Sequence, residues 1–462
     1  MRPSSIHPSS LAAAITSITC PVTLDLRRLI EEELPFTYHC YASKEALGAT
    51  LQELFAHHLA HSSRMPFYSI STAAAVGMGE TLRQYYLMLC AALDHLFFAP
   101  MASEQERQAL IARYFDCPMM RSHGRMFTEY AMATRRAASA AGLWQGGLQG
   151  STIYGRFDAA ADPVTGRITG VYEFNGNTPV MLFESVNLQS YLAGQIDGDL
   201  QFNDWWGQTV EQLQNMNLAG QKIAAVCTTD AIEDIITSET ILQVFDAAGL
   251  DCYLVDIADL DYDQSNPANP FIVNEVEEHP DILFFLTPWE ELVENFSLAF
   301  EQYRYWFDRT RFLEPPWRWF ISHKGILAWV SDLLAQGELQ AYSALPHLPT
   351  ALSLEALQAR QQALGLPTGS YVAKPVIGRL SANVTVVSNG QVLEQSAGAY
   401  GDVPMVYQHY CAPGRTETGN FIVCGWMSCE DYCETLAIRE FDHHITDFDR
   451  ERFVPHILRG QT

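Results

Sequence analysis

The chain of 462 residues is 48% hydrophobic and 18% charged, long enough for several cores and, at ordinary domain sizes, for roughly two to four packed units. Its 28 basic against 54 acidic side chains give a formal charge of -26, which repels phosphate backbones and anionic bilayers at long range and argues against nucleic-acid and membrane partners. The ten cysteines are scattered, without the spacing of a small disulfide-stapled domain.

The first apolar run, residues 11–18, is interrupted by Thr16 and Ser17 and preceded by Arg2 alone, which makes a poor signal peptide. No segment approaches the ~20 apolar residues of a membrane-spanning helix, and the cytoplasm is the expected compartment. From about residue 43 to 113, apolar residues such as Leu47, Leu51, Leu54, Leu59, Leu82, Tyr86, Leu89 and Leu96 recur at helical spacing. Residues 1–145 are therefore expected to be a helix-rich N-terminal region. His57, His58 and His61 fall on one helical face, expected to be solvated because no nearby carboxylate or cysteine completes a metal site.

A glycine-containing stretch, residues 142–150, precedes two short runs, 153–159 and 168–174, that enclose the turn-like Asp162-Pro163-Val164-Thr165-Gly166 and read as a hairpin. Arg156 and Asp158 on the first run, and Glu173 and Asn175 on the second, are each two apart and share a face of their strand. A turn centred between Thr165 and Gly166 puts Asp158 opposite Glu173 and Arg156 opposite Asn175, all on one face, whereas a turn centred on Val164 puts the pairs on opposite faces. On spacing alone, the four are either a face for a hard, oxygen-liganded cation and phosphate oxygens or a charged, solvated hairpin face.

Farther along, runs at 222–227, 252–257 and 282–286 read as strands and 231–248 as a helix. Together they form an α/β unit without a Gly-x-Gly-x-x-Gly turn, linked by an acidic loop at 256–270. A helix near 324–334 and strands near 370–376, 383–387, 406–410, 420–426 and 435–439 follow. The expected divisions are 146–218 for the hairpin-bearing segment, 219–310 for the α/β unit and 311–462 for the terminal lobes. Only four of the 28 basic residues are lysines, namely Lys44, Lys222, Lys324 and Lys374. Lys374 sits in an apolar run, where it either presents a compact charge to phosphate oxygens or reaches out to solvent.

The motifs Tyr154-Gly155-Arg156-Phe157-Asp158, Tyr172-Glu173-Phe174-Asn175-Gly176-Asn177-Thr178-Pro179, Pro288-Trp289-Glu290, Lys374-Pro375-Val376-Ile377-Gly378-Arg379, Tyr407-Gln408 and Ile438-Arg439-Glu440 occur in this order. In that order and number they resemble the synthetase part of glutathionylspermidine synthase-like proteins, from roughly residue 40 to the C-terminus. The resemblance implies an α+β fold with an α/β unit, of ATP-grasp type with permuted motif order, in which 146–218 belongs to the ATP-grasp core, 219–310 is pre-ATP-grasp-like and 311–462 binds ATP. It implies an ATP- and Mg2+-dependent ligase joining a carboxylate to an amine through an acyl phosphate. The acid would be a small molecule or peptide, and the amines include polyamines.

Carried over by position, Asp158, Glu173 and Asn175 would hold magnesium, Arg156 would face phosphoryl or acyl-phosphate oxygens, and Arg439 would face the acid or acyl phosphate. Lys324, Lys374, Gly378, Arg379 and Gln408 would bind nucleotide, and Glu290 and Thr178 would face substrate. The Cys/His amidase domain that the family's bifunctional members carry ahead of the synthetase is not expected here. The family's usual Asn-Ala-Asp-Thr-Pro is Asn175-Gly176-Asn177-Thr178-Pro179, and its Glu-Gly after Gly-Arg is Leu380-Ser381. Both changes leave the acid and amine open. A phosphotransferase using the same nucleotide site and a catalytically silent nucleotide-binding protein are the competing readings.

Overall fold

A computed structural model describes residues 13–460 except 62, 141–149, 197–199, 217, 275, 430–431 and 447–449. Leu11 and Ala12 of the first apolar run, and all of the 142–150 stretch except Gly150, lie outside the described residues. Among those described, no helix is long and apolar enough to cross a membrane.

The first third is mainly helical but contains strands that helical spacing concealed. Ile15–Cys20 pairs antiparallel with Met65–Ser71, which in turn runs parallel to His456–Arg459 near the other end of the chain. Met65–Ser71 is almost continuously buried, so it lacks the polar alternation that marks a half-solvated strand. Ser43, Ser71 and Ser103 cap the helices Lys44–Leu54, Thr72–Phe98 and Glu104–Tyr114 by accepting a backbone N–H three residues on. The 27-residue helix Thr72–Phe98 buries Met78, Leu82, Tyr85, Tyr86, Leu89, Leu93 and Leu96, so it is a core element.

His58 overturns the expectation of a solvated histidine face. It is 2% exposed, its ring centroid is 3.6 Å from that of His57, and it packs beside Phe55 and Phe453. Burial holds its basicity well below the ordinary range.

The α/β unit is a parallel sheet in the order Arg311–Leu313, Ile282–Phe285, Lys222–Cys227, Asp251–Asp256, with the helix Ile232–Ala247 connecting the last two. Part of the expected 256–270 loop is ordered, since Leu260–Tyr262 pairs with Phe271–Val273.

Two antiparallel sheets carry the remaining chemistry. One has the order Thr350–Ala351, Met405–His409, Tyr371–Pro375, Thr385–Ser388, Gln391–Gln395. The other has the order Glu451–Val454, Tyr432–Phe441, Asn420–Ser428, Tyr154–Ala161, Ile168–Asn175, with Gly414–Arg415 as a short addition. The hairpin and the C-terminal strands, distant in sequence, therefore form one sheet.

Alternation explains how that sheet is oriented. Phe157 and Phe174, each between two polar residues, turn to the long helix: Phe157 meets Tyr85 with ring centroids 5.9 Å apart, Phe174 meets Tyr86 at 5.4 Å, and the two phenylalanines lie 4.5 Å apart. Burial of a phenylalanine contributes roughly 1.5–3 kcal/mol. This aromatic contact fixes which face remains for the polar residues.

Candidate active site

The hairpin pairs Arg156 with Asn175 and Asp158 with Glu173, but the ladder slips twice nearer the turn, where Ala159 pairs with Val171 and Ala161 with Ile168. Each slip alone would invert the facing of one strand against the other, and two restore it. All four residues therefore occupy one face.

On that face, the Arg156 guanidinium donates to both carboxylate oxygens of Asp158 at 2.8 and 3.0 Å, and to the Val180 carbonyl at 2.8 Å. Arg439, from Tyr432–Phe441, approaches the same carboxylate at 3.3 Å and also pairs with Glu451. Arg156, Asp158 and Arg439 are buried or nearly so. Burial alone would weaken the basicity of both arginines, but Asp158 for Arg156, and Glu451 with Asp158 for Arg439, reverse the direction and hold both charged.

Glu173 lies between the two lysines singled out in the sequence, 3.4 Å from Lys324 Nζ and 3.6 Å from Lys374 Nζ. Lys374 also donates to the Tyr172 carbonyl at 2.7 Å. Burial would raise the Glu173 carboxyl, but Lys324, Lys374 and Arg156 outweigh it and hold it at about 2. Burial pushes Lys374 down to about 8 despite Glu173. Lys324 directly precedes the helix Gly325–Gln336, and its backbone N–H donates to the Val376 carbonyl at 2.9 Å, tying it to the segment that follows Lys374.

Lys374 and Gln408 face the hairpin from the five-stranded sheet, where Val372 pairs with Gln408 and Lys374 with Val406. Gln408 is 1% exposed and its Nε2 is 3.5 Å from the Val171 carbonyl. Arg379 reaches Thr178 Oγ1 and, at 3.4 Å, the Leu286 carbonyl, bridging the loop after Gly378 to the hairpin's exit and the parallel sheet. Glu290, in the first turn of Trp289–Asn295, accepts from Trp319 Nε1 at 2.7 Å, while its Oε2 is buried without a partner. Burial raises this carboxyl, and Arg379 acts in the opposite direction.

The expected site residues thus gather into three linked groups: Arg156–Asp158–Arg439, Lys324–Glu173–Lys374, and Thr178–Arg379. Gln408 lies against the hairpin, and Glu290 is within electrostatic reach of Arg379.

Several further charged residues around these groups were not marked by the motifs. Glu451 closes the arginine row. Glu184 is 5% exposed with Oε2 unpartnered, and burial with the Glu233 charge pushes it up to about 8. Glu233 is held at about 7 by burial and Asp234. Arg318, 0% exposed, pairs with Glu314 at 3.2 Å and donates to Tyr86 Oη at 2.6 Å, to the Gly176 carbonyl at 3.4 Å and to the Tyr154 carbonyl. Its signal is a charge among Trp317, Trp319 and Phe320, where solvation cannot support it.

Among the described residues, no group of three or more His, Cys, Asp or Glu side chains is placed to hold a metal by itself. Magnesium sites commonly use one or two carboxylates completed by water and phosphate oxygens. Glu173, Asp158 and the Asn175 amide oxygen are a hard, oxygen donor set of that kind, and the two lysines suit a triphosphate. The residues therefore fit both groups.

The model of the family described as glutathionylspermidine synthase preATP-grasp matches residues 111–459, a shorter span than the motif order gives. A Haemophilus influenzae protein provisionally named acid–amine ligase is 26% identical over 323 residues, covering 66% of this chain and 74% of its own. Trypanothione synthetase of Crithidia fasciculata is 25% identical over 329 residues, covering 65% of this chain. The match spans 46% of that relative's length. A glutathione synthetase-like effector of Globodera pallida, solved in the apo form, aligns over 85% of this chain and 89% of its own with 13% identity and a TM-score of 0.44.

Proposed function

The chain belongs to the glutathionylspermidine synthase preATP-grasp family, and on that premise we propose that it is an ATP- and Mg2+-dependent ligase forming an amide between a carboxylate and an amine through an acyl phosphate. Its α+β fold is of the ATP-grasp type, with a helical N-terminal region. The observation that carries the reading is Glu173 held between Lys324 and Lys374 on the same sheet face as Arg156, Asp158 and Arg439. Fixed positive charge around a carboxylate ligand is what phosphoryl transfer requires, more than a covalent nucleophile.

In this proposal Asp158, Glu173 and Asn175 hold magnesium, which when bound supplies charge neutralisation at the phosphate oxygens. Lys324 and Lys374 bind the triphosphate, Gln408 lies at the base, and Gly378 and Arg379 cover the phosphates. The acid's carboxylate oxygen forms a bond to the γ-phosphorus as the bond to ADP breaks. The amine nitrogen then bonds to the acyl carbon, phosphate leaves with the C–O electron pair, and the nitrogen loses a proton. Arg156 and Arg439 face the oxygens that gain charge in these steps. Thr178 and Glu290 face the acid and amine, whose chemical class is a small-molecule or peptide carboxylate and an amine, polyamines included.

The test is a combinatorial screen of acids and amines with Mg-ATP, read as ADP release together with the mass of the condensation product. Absence of Mg-ATP binding at millimolar concentration sinks the reading. A phosphorylated acid accumulating as a stable product without amine would instead identify a phosphotransferase.

A further inference from the structure

Apart from its hydrogen bond to Tyr86 Oη at 2.6 Å, the polar side-chain contacts of Arg318 serve, directly or through Glu314, the backbone that presents the site. Its guanidinium donates to the Tyr154 carbonyl, two residues before Arg156, and to the Gly176 carbonyl, one residue after Asn175. Its ion-pair partner Glu314 accepts from the backbone N–H groups of Ile153 and Tyr154 at 2.8 and 3.1 Å. Four residues on, Ser322 Oγ accepts from Gly176 N at 2.8 Å and donates to the Arg318 carbonyl at 2.7 Å. The fit is close: a Cβ added at Gly155 would lie 2.2 Å from Arg318 Nη2, and one at Gly176 would lie 3.0 Å from its Nε. The guanidinium also stacks 4.7 Å from the ring of Phe174, the residue between Glu173 and Asn175.

The helix Trp317–Ser322 that carries Arg318 and Ser322 runs on through His323 into Lys324. One short element thus holds both strands of the hairpin and delivers a lysine to Glu173. A buried ion pair is poor evidence for stability, since a well-packed apolar replacement is often neutral or better. These contacts instead set the separation between the two rows of site residues.

We propose that Arg318 is a positioning residue, which with Glu314 and Ser322 fixes the hairpin so that Asp158, Glu173 and Asn175 bind magnesium together with nucleotide. This rests on the ligase reading above, and the measurement is the tightening of ATP binding by Mg2+, followed by calorimetry with and without EDTA. Arg318→Lys keeps the charge beside Glu314 but loses the fork that reaches both strands. With Lys324 and Lys374 intact, the variant is expected to bind metal-free ATP as the wild type does and to lose about 10–100-fold of the Mg2+-linked gain, the usual cost of a partner behind a metal ligand. Ser322→Ala, a milder change, is expected to lose part of the same gain and stands in if Arg318→Lys does not fold. A folded variant with wild-type Mg2+ linkage, or equal loss of metal-free and metal-bound affinity, overturns the assignment. Wild-type protein that binds ATP in neither condition refutes the ligase reading, and the positioning role with it.

Discussion

Lys374 gives a quantitative pH test of the proposed nucleotide site. Burial moves its ammonium from the ordinary 10.5 to about 8, against the opposing pull of Glu173, which corresponds to roughly 3 kcal/mol of lost preference for the charged form. A triphosphate beside it supplies the missing negative charge, so nucleotide binding should draw a proton onto Lys374 wherever the free protein has lost it. With a value near 8, about nine in ten free molecules carry the charge at pH 7 and about one in ten at pH 9, and affinity should fall about tenfold between them. Glu173, held at about 2, stays ionised throughout and adds no slope. Glu184 at about 8 and Glu233 at about 7 titrate in the same window, so the control is Lys374→Arg, whose charge does not titrate there. Calorimetry at pH 9 in buffers of different ionisation enthalpy should show uptake of close to one proton per nucleotide in wild type and markedly less in Lys374→Arg. No buffer dependence, or the same fall in affinity in both proteins, refutes the argument.

Glu173→Gln removes the charge between two lysines. It should lower the Mg2+ affinity of the nucleotide complex at least about tenfold and shift optimal ATP binding to lower pH, both read by calorimetry. Lys374→Ala should weaken nucleotide binding itself, whereas Glu173→Ala should chiefly impair Mg2+-supported turnover. Normal activity in both would reject the site. Gly155→Ala places a methyl 2.2 Å from Arg318 Nη2 and 2.6 Å from Phe174 Cζ, and overpacking of this kind costs roughly 1–3 kcal/mol. Gly48→Ala, whose Cβ meets only Ile30 Cδ1 at 3.6 Å, is the control in the same urea titration. Asp158→Asn leaves Arg156 and Arg439 without their shared buried counterion and should cost about 3–5 kcal/mol, measured by thermal denaturation.

The hairpin was legible in sequence because one period-2 alternation met two opposite surroundings: Phe157 and Phe174 toward the long helix, Arg156, Asp158, Glu173 and Asn175 away from it. Its register was open, because neither slip leaves a mark in the residues that slip. Lys324 and Lys374 stood out by scarcity and by motif, and both reach Glu173. Met65–Ser71 escaped notice because a strand buried on both faces has no alternation to read. Glu451, Glu184 and Arg318 were hidden for another reason. Their contacts come mostly from elsewhere in the chain: Glu451 pairs with Arg439, 12 residues away, and Arg318 donates to the Tyr154 carbonyl, 164 residues away, while Glu184 feels the charge of Glu233. Sequence spacing reports neighbours on one element and says nothing of a counter-charge delivered by another.

The departures from the family pattern sort themselves by place. Leu380, Ser381 and Asn383 have φ of 51°, 55° and 58°, so the loop after Arg379 keeps a left-handed backbone at the position where the resemblance places glycine, although serine occupies it. That conformation costs a non-glycine residue roughly 1–2 kcal/mol. Local tethers offset it: Ser396 Oγ donates to the Ser381 carbonyl, Ser381 Oγ meets Thr446 Oγ1 at 2.9 Å, and Tyr400 N donates to Asn383 Oδ1 at 2.8 Å. Leu380 is 70% exposed and stands where the resemblance places a carboxylate, as does Asn177, beside the Thr178 that Arg379 contacts. Two negative charges are therefore missing around Arg379, while Lys324, Lys374, Glu173 and Asp158 keep their charges and their contacts. Long-range attraction for a polycationic amine weakens with each carboxylate lost, and the charges proposed to face phosphate do not change. Within the ligase reading proposed above, the divergence thus bears on which acid and amine would be joined rather than on how ATP would be used.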